Sequence, residues 1–294
     1  MEINTIENQI FVVRDDLFPS LGGGNKGRKL DYIGRKLKED GFNAVVTTGG
    51  IQSNHCRATA IFAAQNKLAC TLVIHGDPDR FYAENGNAKL MRDAGVKIIF
   101  ARTEEISDAM DSSMIDYQSL GLNPYYLKGG GHTLEGGTSY LDAVGELLEN
   151  SNVVPDYFFL ASGTGSTQAG IMAGLTKHKC DCNVIGVSVA RKRLRAEEIV
   201  TKFYHELCEN QKIEGPFDKE AVVLDDYLFG GYEKYNDDIE KVSQRSIMKY
   251  GFTLDTTYTA KAFFGMQDYI KKNDIKGHIF FWHTGGVLNY LAKK

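Results

Sequence analysis

Five short stretches carry residue types and spacings that could do chemistry. The first is Asn25-Lys26-Gly27-Arg28-Lys29-Leu30, entered through Gly22-Gly23-Gly24. Three consecutive glycines make a loop without side-chain bulk, where a ligand can approach the backbone closely. Lys26 follows in what reads as the first turn of a helix, the end at which cations are disfavoured. That position, burial and the cations Arg28 and Lys29 would each lower its amine pKa, and a neutral amine attacks carbonyls to form a Schiff base. Alone, the segment reads more plainly as a solvated basic turn. The second stretch, Ser162-Gly163-Thr164-Gly165-Ser166-Thr167, lies between an expected strand and an expected helix. Its small residues let N–H groups converge, its hydroxyls add donors and the helix start favours an anion, so it suits a phosphate. It is not a dinucleotide fingerprint, because Gln168 stands at the third glycine position and Val189-Ala190-Arg191 puts no acid after the next strand. It is not a P-loop either, since no Gly-Lys-Ser/Thr follows. A tight glycine turn without a ligand is its plainer reading.

In the third stretch, Gly49-Gly50-Ile51-Gln52-Ser53-Asn54-His55, one Ser or Asn would suffice to cap a helix. Here Gln52, Ser53, Asn54 and His55 crowd the turn, and such a ring of donors suits a carboxylate. The fourth is His283-Thr284-Gly285-Gly286, and the fifth is Leu254-Asp255-Thr256-Thr257-Tyr258-Thr259, entering a helix. Each has a bland alternative: a turn capped by Thr284, and a packed Tyr258. Together, an amine for an aldehyde, a phosphate cradle, a carboxylate site and two hydroxyl-bearing turns specify pyridoxal phosphate.

Short apolar runs alternate with helical patterns along the chain. Strands are expected at Ile10–Val13, 44–47, 69–74, 96–100, 125–127, 157–160, 184–189, 222–224 and 278–281. Helices are expected at 26–40, 53–66, 82–93, 104–119, 137–149, 167–178, 193–210, 237–249 and 259–272, with a terminal helix from Gly286. Repeated βα alternation predicts an α/β fold with parallel twisted sheets flanked by helices, a single barrel being the structural alternative. No linker or repeat divides the chain, so two lobes would be interleaved. Ligands of open parallel sheets sit outside the carboxyl ends of strands. The glycine turns after Thr48, Ala161 and Trp282 are therefore expected to face one cleft.

The chain resembles the D-cysteine desulfhydrase and 1-aminocyclopropane-1-carboxylate deaminase family, within the tryptophan-synthase-β-like, fold type II pyridoxal-phosphate enzymes. The resemblance runs from Arg14-Asp15-Asp16 to His283-Thr284-Gly285-Gly286, with four separated motifs in the family's order. It implies a two-lobed enzyme, with residues 1–29 and 136–294 as the larger cofactor-binding lobe and 30–135 as a smaller inserted lobe. By this resemblance Lys26 is the Schiff-base residue and Asn54 meets the ring hydroxyl. Ser53, Asn54 and His55, beside Gln52, receive the substrate carboxylate. Gly163, Thr164, Gly165, Ser166 and Thr167 hold the phosphate, with Lys29. Tyr258 lies over the cofactor, so Lys26, Ser53 and Tyr258 are the catalytic candidates. The deaminase branch carries Glu after the tyrosine and Leu in place of the last motif's Thr, whereas this chain has Thr259 and Thr284. A hydroxyl at the ring nitrogen gives a weaker electron sink, which suffices for α,β-elimination and not for opening a cyclopropane. The expected activity is that of a carbon–sulfur lyase, D-cysteine desulfhydrase first. The cyclopropane deaminase, β-replacement and a non-catalytic protein holding a phosphorylated ligand are the alternatives. One departure falls near the substrate: the family's Tyr-Gly-x-Pro-Asn loop is here Tyr232-Glu233-Lys234-Tyr235-Asn236. A homodimer is implied by the resemblance alone.

Composition narrows the class further. A 294-residue chain allows a sizeable core in two lobes, and a formal net charge of −4 gives no support for nucleic acid or a membrane surface as partner. No apolar run approaches a membrane span. Met1-Glu2-Ile3-Asn4 is too polar to begin a signal peptide. Five irregularly spaced cysteines argue against a disulfide framework, and Cys180-Asp181-Cys182 lacks the partners of a zinc site. These features lead to a cytoplasmic protein without metal; a small amino acid as substrate is what the resemblance implies.

Overall fold

The computed structural model describes residues 1–7, 9–20 and 22–292. Its strands are β1 (Ile3–Glu7), β2 (Ile10–Val13), β3 (Ala44–Gly50), β4 (Ala69–His75), β5 (Lys97–Phe100), β6 (Pro124–Tyr126), β7 (Tyr157–Ser162), β8 (Asn183–Ser188), β9 (Val222–Leu224) and β10 (Ile279–Trp282). Its α-helices are α1 (Gly24–Glu39), α2 (Asn54–Asn66), α3 (Pro78–Ala83), α4 (Asn87–Asp93), α5 (Ile106–Ser119), α6 (Leu134–Asn150), α7 (Ser166–Lys177), α8 (Arg193–Asn210), α9 (Asp237–Tyr250), α10 (Thr259–Asn273) and α11 (Val287–Ala292). A six-stranded sheet runs β1-β2-β10-β7-β8-β9, and a four-stranded sheet runs β5-β4-β3-β6. All pairings are parallel except β1 with β2. The smaller sheet is built from residues between β2 and β7, so its segment is inserted into the chain that builds the larger one. Two separate open sheets exclude the barrel.

The strands read as continuous apolar runs because both faces of each sheet are covered. Successive residues of β7 and β10 point to opposite faces. Phe158, Leu160, Phe280 and Trp282 pack with α6, α7 and α8 on one side. Phe159 and Phe281 join Val12, Ile185, Phe263 and Met266 on the other. In the smaller sheet Val45, Leu72 and Ile74 face α1 and α2, while Val46 and Val73 face Met110 and Tyr117 of α5.

One polar knot inside this core sets where α1 begins. Arg28 Nε donates to buried Asp15 Oδ1 at 2.8 Å, and Tyr140 Oη and Trp282 Nε1 donate to the other carboxylate oxygen. Removing one member of such a buried pair costs about 3–5 kcal/mol. The knot ties the first turns of α1 to the ends of β2 and β10.

Two elements differ from the sequence reading. The helix expected over 82–93 is two helices, because Glu84 is extended and Gly86 takes φ +65° before α4. The strand β1 carries no alternation to announce it and exists by antiparallel pairing with β2. Among the described residues, no helix is long and apolar enough to cross a membrane, and no cluster of His, Cys, Asp or Glu could hold a metal ion.

Candidate active site

The carboxyl ends of β3, β7 and β10 open onto one cavity of about 540 Å³, as parallel sheets dictate. Its lining joins Gly49 and Gly50, Gly163 and Gly165, and Thr284 and Gly285, so the three glycine turns do face one space. The start of α1 enters the same space. Gly24 has φ +78°, and a Cβ there would lie 2.6 Å from Thr284 O, so only glycine lets α1 approach the turn after β10. Asn25 N–H donates to Thr284 O at 2.9 Å, which locks the two together.

Lys26 lines the cavity and its Nζ donates to Gly130 O at 2.9 Å. Burial, then the nearby Arg57 guanidinium, lower its amine to about 8. The cations expected from sequence to do this were Arg28 and Lys29. Instead Arg28 is neutralised by Asp15, and the buried Arg57 of α2 takes its place.

Gly163, Thr164, Gly165 and Thr167 line the cavity at the start of α7. Gly165 is left-handed (φ +89°) and no side chain caps the helix, so its first N–H groups face outward for an anion. Ser166 and Lys29 lie behind this lining instead of in it. Both are buried, and Lys29 Nζ donates to Ser166 Oγ at 2.7 Å. Burial and the neighbouring Lys26 push the Lys29 amine well below its ordinary value, and an anion at the cradle offsets both effects. Asn25 Nδ2 donates to Thr167 Oγ1 at 3.2 Å, joining lysine and cradle.

At the third turn Ser53 caps α2, its Oγ accepting Cys56 N–H at 3.1 Å. Ser53, Asn54 and His55 line the cavity, and Gln52 does not. Gln52 Nε2 donates to Glu84 Oε2 and Asn85 O, and its Oε1 accepts Asn87 N–H. That side chain is spent on the connection between α3 and α4, which corrects its expected place at the substrate. Asn54 Oδ1 accepts Asn87 Nδ2 at 2.9 Å, which anchors its amide beside the cavity. His55 Nε2 lies 2.8 Å from Thr47 Oγ1, and burial, then Lys26, hold its pKa well below normal.

Tyr258 and Tyr232 line the opposite wall with hydroxyls 2.5 Å apart. Burial raises both phenols above their ordinary range, so at neutral pH the pair is protonated. Thr259 does not line the cavity. Its Oγ1 donates to Asp255 Oδ1 at 2.8 Å and accepts Asp255 N–H at 2.9 Å. Asp255 also accepts the N–H groups of Thr257, Tyr258 and Thr259, so the two residues form a buried clasp that presents Tyr258. Of the two threonines singled out in the sequence, Thr284 reaches the cavity and Thr259 does not.

Sequence reasoning missed Thr48, His75, Thr103, Ile106 and Arg191 among the lining residues. Arg191 Nη1 donates to Gly163 O beside the cradle. The absence of an acid after β8 was visible in the sequence, but the arginine's approach to the cradle depends on the β7–β8 register. Thr103 and Ile106 arrive from the far edge of the smaller sheet and carry no local signal.

A family model described as "Pyridoxal-phosphate dependent enzyme" matches residues 3–285. The chain belongs to that family. A provisionally named 1-aminocyclopropane-1-carboxylate deaminase of Pyrococcus horikoshii is 30% identical over 287 residues, covering 95% of this chain and 84% of that protein. D-cysteine desulfhydrase of Klebsiella pneumoniae is 30% identical over 288 residues, covering 95% and 87%. The crystal structure of an ACC deaminase homologue superposes with a TM-score of 0.89 at 28% identity, covering 98% of this chain and 90% of that one. Threonine deaminase isoform 2 of Solanum lycopersicum shares the fold, with a TM-score of 0.66 at 15% identity, covering 100% and 84%. The protein is thus a fold type II pyridoxal-phosphate enzyme of the deaminase and desulfhydrase group. The residues present fit pyridoxal 5'-phosphate: a lowered-pKa lysine and an uncapped helix start with a buried lysine behind it open onto one cavity. Lys26 would hold the aldehyde, the Gly163–Thr167 turn the phosphate, and Asn54 the ring hydroxyl.

Proposed function

We propose that the enzyme catalyses α,β-elimination from a small amino acid with a β-leaving group. D-cysteine is the first candidate, which with water gives pyruvate, ammonia and hydrogen sulfide. The observation that carries this reading is the character of the wall. Among the described residues that line the cavity there is no aspartate or glutamate, and Thr284 stands at the start of α1. Asp255 lies nearby, but its oxygens are occupied by the clasp around Thr259. No lining carboxylate is there to hold a proton on the cofactor's ring nitrogen, so Thr284 is its proposed partner.

The bound cofactor supplies an aldehyde for the substrate amine and an electron sink for the α-carbanion. The chain's own residues do the rest. Ser53, Asn54 and the N–H groups beginning α2 bind the substrate carboxylate. The Lys26 amine, its pKa lowered to about 8, takes the α-proton onto Nζ. The Tyr232–Tyr258 pair, both protonated, donates a hydrogen bond to the departing sulfur from one Oη while the other holds it in place. The lobe division belongs to the same reading: residues 30–135 would be the smaller lobe around the four-stranded sheet.

The test sets D-cysteine and β-chloro-D-alanine against 1-aminocyclopropane-1-carboxylate on one preparation. Pyruvate should form readily, and 2-oxobutyrate at least about a thousandfold more slowly, equivalent to ~4 kcal/mol in the barrier. Comparable turnover of the cyclopropane would replace this reading with the deaminase. Absence of visible absorbance from bound cofactor would favour a non-catalytic phosphate-binding protein.

A further inference from the structure

The start of α10 holds a buried cation. Lys261 lies in the first turn of that helix, whose cap residue is Tyr258, and its side chain is fully buried. A helix start disfavours a cation, and burial disfavours it further. Burial lowers the amine to about 8, against the opposing pull of Asp255. Its hydrogen-bond acceptors are two backbone carbonyls, Leu228 O at 2.8 Å and Gly231 O at 2.9 Å.

Each of those carbonyls opens a tight turn. Gly231 N–H donates to Leu228 O at 3.0 Å, and Lys234 N–H donates to Gly231 O at 3.2 Å. One amine thus joins the acceptors of two consecutive turns. The segment calls for such a clamp, because Phe229 (φ +48°), Gly230 (φ +96°), Gly231 (φ +115°) and Glu233 (φ +60°) are all in the left-handed region. Two of these are not glycine, and strained backbone persists only where its surroundings over-determine it. What the segment delivers is Tyr232, a central residue of the second turn. Its hydroxyl meets that of Tyr258 at 2.5 Å on the cavity wall. The start of α10 therefore sets both phenols: Tyr258 as its own cap, and Tyr232 through the reach of Lys261.

We propose that Lys261 is a positioning residue for the leaving-group end of the site, clamping the turns on either side of Gly231 so that the Tyr232 phenol is held against Tyr258. The task of the phenols rests on the elimination reading above; their placement by Lys261 does not. A thiol leaves as a basic sulfur anion and gains from a phenol's hydrogen bond. Chloride is a far weaker base and leaves without that help. Loosening the clamp should therefore slow release of sulfide and spare release of chloride.

The test uses the cofactor-loaded enzyme and Lys261→Met, which keeps the length of the side chain and removes its donors. Turnover of D-cysteine relative to β-chloro-D-alanine should fall at least about tenfold. Tyr232→Phe should lower the same ratio, and the double variant should lower it no further, because the lysine acts through the tyrosine. Lys261→Gln, uncharged and one bond shorter but still a donor, should lower the ratio less and serves if Lys261→Met does not fold. A second readout needs no substrate. Burial raises the Tyr232 phenol above its ordinary value of 10.0. Carbon-13 NMR of ring-labelled tyrosine, with Tyr232 assigned by its loss in Tyr232→Phe, should show that phenol titrating closer to 10.0 in the Lys261 variants. Equal losses on the two substrates, or a Tyr232 titration unaltered by both Lys261 variants, overturns the proposal. Absence of pyruvate from either substrate, with the Tyr232 titration shifted as expected, would sink the elimination reading and leave the clamp standing.

Discussion

The turn after β3 and the turn after β7 are the same device, a parallel strand ending in glycine and passing into a helix that faces the cavity. They differ in who satisfies the helix start. At α2, Ser53 takes the N–H of Cys56, and the site is completed by the side chains of Asn54 and His55. At α7, Gly165 is left-handed, no side chain caps the helix, and a buried lysine stands behind Ser166. The capped turn suits a singly charged group that comes and goes with each turnover. The uncapped turn keeps its backbone donors for a doubly charged group that stays. On the proposed function, one architecture would yield a substrate site and a cofactor anchor by a choice at the cap.

The comparison assumes that both turns serve one amine, and its largest test is Lys26. Borohydride reduction of the loaded enzyme followed by peptide mapping should label Lys26, and Lys26→Ala should lower turnover by about a thousandfold or more. A label on Lys29 would mean that the buried lysine behind the cradle had been given the wrong task.

The next test puts a charge in the uncapped turn. Gly165 is a poor place for it, because a side chain there meets Val200 at 2.6 Å in a left-handed backbone, and loss of the cofactor would be mixed with strain. Gly163 has only Val189 at 3.6 Å, so Gly163→Asp isolates repulsion. Cofactor retention should weaken about a hundredfold with the fold intact, and Gly163→Ala should retain it. Equal retention by Gly163→Asp would show that the phosphate lies elsewhere.

A smaller effect is expected from pH. Lys26 is held near 8 instead of at its ordinary value of 10.5, and only the neutral amine captures an aldehyde. The cofactor-free protein should therefore take up pyridoxal phosphate about tenfold faster per pH unit below 8 and level off above it. A rate that keeps climbing towards pH 10 would mean that burial and Arg57 do not lower this amine.

The smallest effect belongs to the capped turn. Ser53→Ala should cost about 1 kcal/mol in urea unfolding and raise KM for the amino acid several-fold, with cofactor retention unaltered. Loss of cofactor from this variant would erase the distinction between the two turns.

Much of this was legible locally. Gly163-Thr164-Gly165 announces a turn with exposed N–H groups wherever it lies, and Asn25-Lys26 after three glycines announces an approachable amine. Gln52 and Thr259 were illegible in the same sense. Each is a polar residue beside a true lining residue, and nothing in the chain says that Gln52 turns towards Asn85 and Asn87 or that Thr259 folds back on Asp255.

By itself the sequence determined the alternation of strand and helix, the parallel sheets that follow from it, and the chemical types gathered at strand ends. Hydrophobic period and glycine freedom are local properties, readable from neighbours in the chain. The tertiary structure decided which cation depresses Lys26 and which threonine reaches the cavity. Those are distances between residues far apart in sequence. Burial and Coulomb interactions, which set pKa values and leave donors or acceptors unpaired, depend on distance in space and not on position along the chain.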